Sequence, residues 1–143
     1  MQWETCSERE TEAAGARLAA RLHPGSVVAL YGGLGMGKTA FVRGMAEGMG
    51  LSAEVSSPTF ALVHDYGGTP PLVHFDMYRV NGWEDLDSTG FFDYIGRGAV
   101  LAVEWSENIE AALPPDAIRV RFEALGETKR RITVTGVEED RCG

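Results

Sequence analysis

Positive charge is in short supply in this chain. Thirteen lysines and arginines face 21 aspartates and glutamates, a formal net charge of −8 over 143 residues. Proteins that coat nucleic acid do so by displacing counterions with Lys and Arg. This chain is therefore not expected to bind DNA, or to hold RNA by itself; action on RNA through a more basic partner stays open. Long apolar runs are missing too. None approaches the roughly 20 residues that span a bilayer, so no membrane role is expected. The start, Met1-Gln2-Trp3-Glu4, lacks the basic-then-apolar pattern of a signal peptide. Cysteine is scarce. Cys6 and Cys142 are too few for a disulfide framework and too far apart for a metal-binding pair. Free reduced thiols and a cytoplasmic location are the expectation. None of the three histidines shares ligand spacing with a cysteine, which excludes a zinc site of the usual kind. His23, His64 and His74 read as satisfied structural histidines.

What is present suits a globular fold. The chain is 44% hydrophobic, enough for one core without a metal or disulfide staple. The length predicts a single domain over residues 1–143. Residues 138–143, charged and terminal, read as a frayed tail.

Ser7-Glu8-Arg9-Glu10 carries a capping-box pattern, and Ala14, Leu18 and Leu22 follow at helical spacing until Pro24-Gly25. Ser26 to Tyr31 is a short apolar run that predicts a buried strand. A glycine-rich turn leads to a helix from Lys38, with Phe41, Met45 and Met49 on one face and Gly50 at its end. Thr59 to Tyr66 and Leu72 to Phe75 read as two hairpin strands parted by Gly67-Gly68. Short helical pieces are expected around Trp83–Leu86 and Phe91–Ile95. Ala99 to Val103 predicts another buried strand, and Ser106 caps a short helix ending before Pro114-Pro115. Two final strands, Ile118 to Phe122 and Arg131 to Thr135, flank a turn at Gly126. Strands alternating with helices predict an α/β, three-layer fold. The hairpins make its sheet mixed: a parallel core with antiparallel hairpins.

One segment is far more specific than the rest. Gly32-Gly33-Leu34-Gly35-Met36-Gly37-Lys38-Thr39 fits the phosphate-loop template G-x-x-x-x-G-K-[ST] at every required position. A strand precedes it and a helix follows. Four glycines in eight residues let the backbone bend tightly and turn its N–H groups inward. With the positive end of the next helix these form an anion site, to which Leu34, Met36 and Ala40 also contribute backbone. Lys38 would reach the β- and γ-phosphates and the Thr39 hydroxyl would ligate magnesium. Such a loop needs an acid to complete the metal site, and ligands of open α/β sheets sit beyond the carboxyl ends of the strands. Asp76 and Glu104 both fall there. Ser57 and Thr59, between the loop helix and Asp76, occupy the place of a switch contacting the γ-phosphate; Thr59 is the better candidate. Trp105, Tyr78 and Arg79 adjoin the two acids and could line the site or simply pack. No Asn-Lys-x-Asp guanine-reading motif occurs, so ATP is favoured over GTP.

These segments together resemble a known family. The phosphate loop, Val55-Ser56-Ser57-Pro58-Thr59-Phe60, His74-Phe75-Asp76-Met77-Tyr78-Arg79 and Val103-Glu104-Trp105-Ser106 are similar in order and spacing to the bacterial TsaE (YjeE) family. The resemblance implies a magnesium-dependent P-loop ATPase serving threonylcarbamoyladenosine formation in tRNA, working with a TsaD–TsaB complex and meeting tRNA only through it. It implies that Thr39 and Glu104 hold magnesium, that Asp76 is the second acid, and that Thr59, Tyr78 and Trp105 occupy functional positions. Thr5 to Thr11, above all Thr11, and Arg130 match the family's nucleotide-base region most loosely. Gly33 stands where the family usually has Asp, and Ala40 where a Thr is common; both departures bear on loop rigidity and rate.

The expected reaction is attack of water on the γ-phosphate of ATP. Lys38 and the loop amides stabilise the developing charge, with Asp76 or Glu104 placing the water. Without an obvious arginine finger the chain is expected to be slow alone and faster with a partner. Two rivals stand beside this reading. A nucleotide or small-molecule kinase would transfer phosphate to an added acceptor. A non-hydrolysing ATP-sensing module would release no phosphate even with partners present.

Overall fold

The computed structural model describes residues 1–32, 36–51, 63–68, 70–77, 86–87, 89–104 and 106–137. Gly33, Leu34, Gly35, Ser57, Thr59, Tyr78, Arg79, Trp105, most of the piece around Trp83–Leu86, the side chain of Ser106 and the tail 138–143 lie outside them.

Seven strands form one sheet. The two longest apolar runs make its middle: β2 (Val27–Tyr31) and β5 (Val100–Glu104) are buried at every position. Strands covered on both faces read as unbroken apolar runs, which is why these two stood out in the sequence. β6 (Ile118–Ala124) flanks β2 and β4 (Pro71–Asp76) flanks β5, all four parallel. Antiparallel partners close the sheet: β3 (Val63–Gly68) on β4, and β7 (Arg130–Thr135) on β6. The order is β1-β7-β6-β2-β5-β4-β3. The sheet is thus mixed, with a parallel core and antiparallel margins as expected.

Helices cover both faces. α1 (Glu8–Ala19) and α2 (Lys38–Gly48) pack Leu18, Phe41 and Met45 on Val28, Leu30, Val100 and Ala102. On the opposite face α3 (Phe91–Gly96) and the 3-10 segment Ser106–Ala112 bring Phe91 and Ile109 against Phe75, Leu101 and Val103. Ser7 caps α1 by accepting from the Glu10 N–H at 3.1 Å, while the Glu10 carboxylate accepts from Cys6 N–H, one residue earlier than in a capping box. Past α2, Gly50 takes φ 78°, and the Gly50 and Leu51 N–H groups close on Glu47 and Ala46 carbonyls. That is the left-handed C-terminal motif which the glycine foreshadowed.

Three features differ from expectation. Gly67 and Gly68 do not part the hairpin strands. They lie inside β3 at φ 76° and 101°, where the register to β4 shifts, and the turn falls just after them. Glycine tolerates this backbone, and the Asp65 carboxylate holds the irregularity by accepting from Gly67 N–H at 2.8 Å. The second difference is β1 (Gln2–Thr5), an edge strand antiparallel to β7. Its four residues are mostly polar, so no apolar pattern announced it. In the third, Ile109 breaks the segment after Ser106 with φ −130°, so no regular helix forms there. Cys6 is exposed and unpaired. No helix among the described residues is long and apolar enough to cross a membrane.

Candidate functional site

β2 delivers the chain to Gly32 at φ 146°, and Gly37, at φ 97°, opens α2 without any side-chain cap. The first turn of α2 carries no acidic residue. With neither a side-chain cap nor an acid of its own first turn, this end of α2 keeps the positive character of its helix dipole. Lys38 is 5% exposed, and its ammonium donates to the Gly32 carbonyl at 2.6 Å. The lysine thus bridges the two ends of the loop. A buried ammonium of this kind favours an anionic ligand beside it.

An open cavity of about 520 Å³ lies over this helix end, a volume ordinary for a small-molecule site. From α2 and the turn before it, Met36, Gly37, Lys38, Thr39 and Ala40 line it, all expected from the motif. Asp76 and Glu104 line it from the strand ends. The parallel register of β4 and β5 makes them direct neighbours, Asp76 opposite Glu104, and the Met77 N–H closes on the Glu104 carbonyl at 3.0 Å. Two carboxylates side by side repel each other and favour a cation between or before them.

The two loosest expectations also reach the cavity. Thr11 shares a hydroxyl contact with Thr5 at 2.9 Å and donates to the Ser7 carbonyl at 3.2 Å. Its methyl packs on Gly37; a Cβ there would sit 3.4 Å away. Arg130 donates to the carbonyls of Gly126, Glu127 and Lys129, which shapes the β6–β7 turn at the cavity rim.

Sequence reasoning missed Glu127 and Thr128 at the cavity rim, and two residues of more consequence. Arg43 lines the cavity one turn beyond Thr39 and pairs with Glu12 of α1 at 2.7 Å. Its spacing from Thr39, i to i+4, was the available signal. His74 is fully buried, as a structural histidine would be. Its only described hydrogen bond, however, goes to Glu104, Nε2 to Oε2 at 2.6 Å. Nothing in a linear sequence pairs residues 30 positions apart.

The donor chemistry fits magnesium. Among the described residues no three His, Cys, Asp or Glu side chains group as a metal cage. Magnesium is ordinarily held by one or two carboxylates, water and the phosphates of a nucleotide. Thr39, Asp76 and Glu104 form that kind of partial set.

Behind the loop, a second network fixes the end of β2. The Tyr31 hydroxyl donates to Glu110, which also accepts from Arg119 at 3.0 Å, while the Arg121 guanidinium sits 4.6 Å from the Tyr31 ring centre. Burial, then the bond to the Glu110 carboxylate, pushes the Tyr31 hydroxyl up to about 12. The same bond, followed by Arg119, holds the Glu110 carboxyl below its usual range. A raised Tyr31 value means that its stabilising contribution is complete below the unfolded value of about 10 and is lost as pH rises through the folded one. Glu110 acts at the other end: its contribution is present above the unfolded carboxylate value and is lost as pH falls through the lowered folded one. Tyrosinate absorbance at 295 nm should show one of the four tyrosines ionising near pH 12, and Tyr31→Phe should remove that late step. Loss of an ordinary step near pH 10 instead would contradict the network.

Comparison with known proteins bears on this arrangement. The family model described as threonylcarbamoyl adenosine biosynthesis protein TsaE matches residues 5–132. The Bacillus subtilis tRNA threonylcarbamoyladenosine biosynthesis protein TsaE is 38% identical, over 96% of this chain and 86% of its own. The Streptomyces coelicolor protein of the same name is 43% identical, over 87% of this chain and 89% of its own. Among solved structures, Bacillus subtilis YdiB superposes with a TM-score of 0.78 at 36% identity, covering 94% of this chain and 83% of that one.

Proposed function

The chain belongs to the TsaE family of tRNA threonylcarbamoyladenosine biosynthesis proteins, and on that premise we propose that it is a P-loop ATPase that hydrolyses magnesium-ATP in support of the modification. One observation carries the reading: Lys38, at an uncapped helix N-terminus, shares one cavity with the neighbouring carboxylates Asp76 and Glu104.

The α2 N–H groups and Lys38 receive the phosphates. Thr39 and Glu104 would hold magnesium, with Asp76 as the second acid, directly or through water. When bound, the ion neutralises charge on the β- and γ-phosphates. Asp76 or Glu104 orients a water molecule in line with the γ-phosphorus. The new P–O bond forms as the bond to the β–γ bridging oxygen breaks, giving ADP and phosphate. The water's proton passes to a carboxylate or to the phosphate itself. Lys38 stabilises charge on the transferred group. Arg43 is turned toward Glu12, so in this state it is not aimed at a transferred phosphate. A partner of the TsaD–TsaB type would complete the site, and the tRNA would be met through that partner, in keeping with the net charge of −8.

Phosphate release by the purified chain should be slow alone and rise when the TsaD–TsaB complex and tRNA are added. Completion of such a site by a partner can be worth about 10³-fold or more. A fast rate without partners would contradict the scheme. Transfer to an added nucleoside or sugar would make it a kinase, and no release under any condition an ATP sensor.

A further inference from the structure

His74 sits on β4 two residues before Asp76, so both side chains leave the same face of the sheet. On β5 that face carries Ala102 and Glu104. The register sets His74 opposite Ala102 and Asp76 opposite Glu104. Alanine at 102 leaves the space through which the imidazole reaches diagonally to Glu104. The resulting contact, Nε2 to Oε2 at 2.6 Å, is short and buried: the two side chains are 0% and 7% exposed.

The direction of this bond follows from chemistry. A carboxylate ready to take a cation has only lone pairs to offer, so the hydrogen lies on Nε2 and the imidazole donates. Nδ1 is the ring's other polar atom. It has no hydrogen-bond partner among the described residues. A histidine kept for the core alone would be expected to satisfy both nitrogens. This one spends its single described bond on an acid of the cavity. Carboxylates that hold metals commonly depend on such outer partners to fix the orientation of the oxygen that faces the ion.

We propose that His74 is the positioning residue of the magnesium site: it holds Oε2 of Glu104 so that the carboxylate's other oxygen is presented to the metal. The proposal rests on the reading of Glu104 as a magnesium ligand. It also gives the hairpin a place in the site. The Tyr66 ring of β3 lies 6.3 Å from His74 and stacks on His64 at 4.2 Å, so the hairpin packs beside the imidazole.

The test separates metal binding from nucleotide binding. Affinity for a fluorescent ATP analogue is measured in EDTA and across a magnesium titration for the wild type, His74→Gln, His74→Asn, His74→Leu and Glu104→Gln. Glutamine carries its amide where Nε2 was; asparagine carries it nearer Nδ1, out of reach of Glu104. His74→Asn and His74→Leu should move the magnesium midpoint up by about 10- to 100-fold and leave affinity in EDTA unchanged. His74→Gln should restore most of the wild-type midpoint. The glutamine and asparagine pair decides the matter even if His74→Leu does not fold. Equal midpoints for those two variants, or a fall in EDTA affinity that tracks the fall in magnesium, would overturn the positioning role. If Glu104→Gln shifts the midpoint and the His74 variants do not, this inference alone fails. If Glu104→Gln leaves the midpoint unchanged, the ligand assignment fails and this inference with it.

Discussion

Lys38→Ala is expected to lose ATP affinity by at least about 100-fold. The estimate rests on two charge-assisted hydrogen bonds to phosphate at roughly 1.5–3 kcal/mol each, with every 1.4 kcal/mol worth about tenfold. Residual hydrolysis should fall by a further 10²- to 10³-fold or so, the usual loss when one donor to a developing oxyanion is removed. The cause is local. Lys38 is the cation closest in sequence to the uncapped start of α2, and its buried ammonium already holds the loop by donating to Gly32. The other cations lining the cavity are committed elsewhere: Arg43 to Glu12, and Arg130 to three carbonyls of its own turn. Neither is placed to substitute. Isothermal titration with ATP, alongside a thermal melt to confirm folding, checks the outcome. A folded Lys38→Ala protein with wild-type affinity would remove the phosphate site from this cavity.

The second large effect concerns the support of that loop. Gly44→Ala should destabilise the protein by about 2–3 kcal/mol, although alanine is the better helix former by roughly 1 kcal/mol. A Cβ at Gly44 would stand 1.8 Å from the Glu12 carbonyl oxygen of α1, and one at Gly15 would stand 2.1 Å from the carbonyl oxygen of Phe41. The obstacle in both cases is backbone, which no rotamer change relieves. The helices must separate, and the gain in propensity cannot offset lost core contacts around Leu18, Phe41 and Met45. For a chain of this size the melting temperature should fall by roughly 5–10 °C. ATP affinity should fall with it, since α2 carries Lys38 and Thr39. Gly96→Ala is the control: a Cβ there meets nothing within 4 Å, so the same substitution should be neutral or mildly stabilising. Similar melting curves for the two variants would contradict this view of the interface.

These cases mark where the sequence was readable. The segment Gly32 to Thr39 stood out because its residue types match a pattern set by phosphate chemistry, and the strand and helix expected on either side of it are present. Asp76 and Glu104 were legible as acids ending apolar runs, since each run had to be a strand and each acid had to find a partner. That the two acids are neighbours depends on β4 lying beside β5, which alternation of elements suggested but did not specify. Other features belong to the third dimension alone. Gly15 and Gly44 look like weak points in helical patterns until the helices are seen to touch through them. His74 looks like any core histidine until its partner 30 residues away is known. β1 is held as a strand by the edge that β7 offers; Gln2, Trp3, Glu4 and Thr5 form no apolar run to announce it.

The most direct measurement is titration of the unmodified chain with ATP, in magnesium and again in EDTA. Saturable one-to-one binding is expected, tighter with magnesium than without, lost in Lys38→Ala and weakened toward the EDTA value in Glu104→Gln. No saturable binding, or binding indifferent both to magnesium and to Lys38, would contradict it.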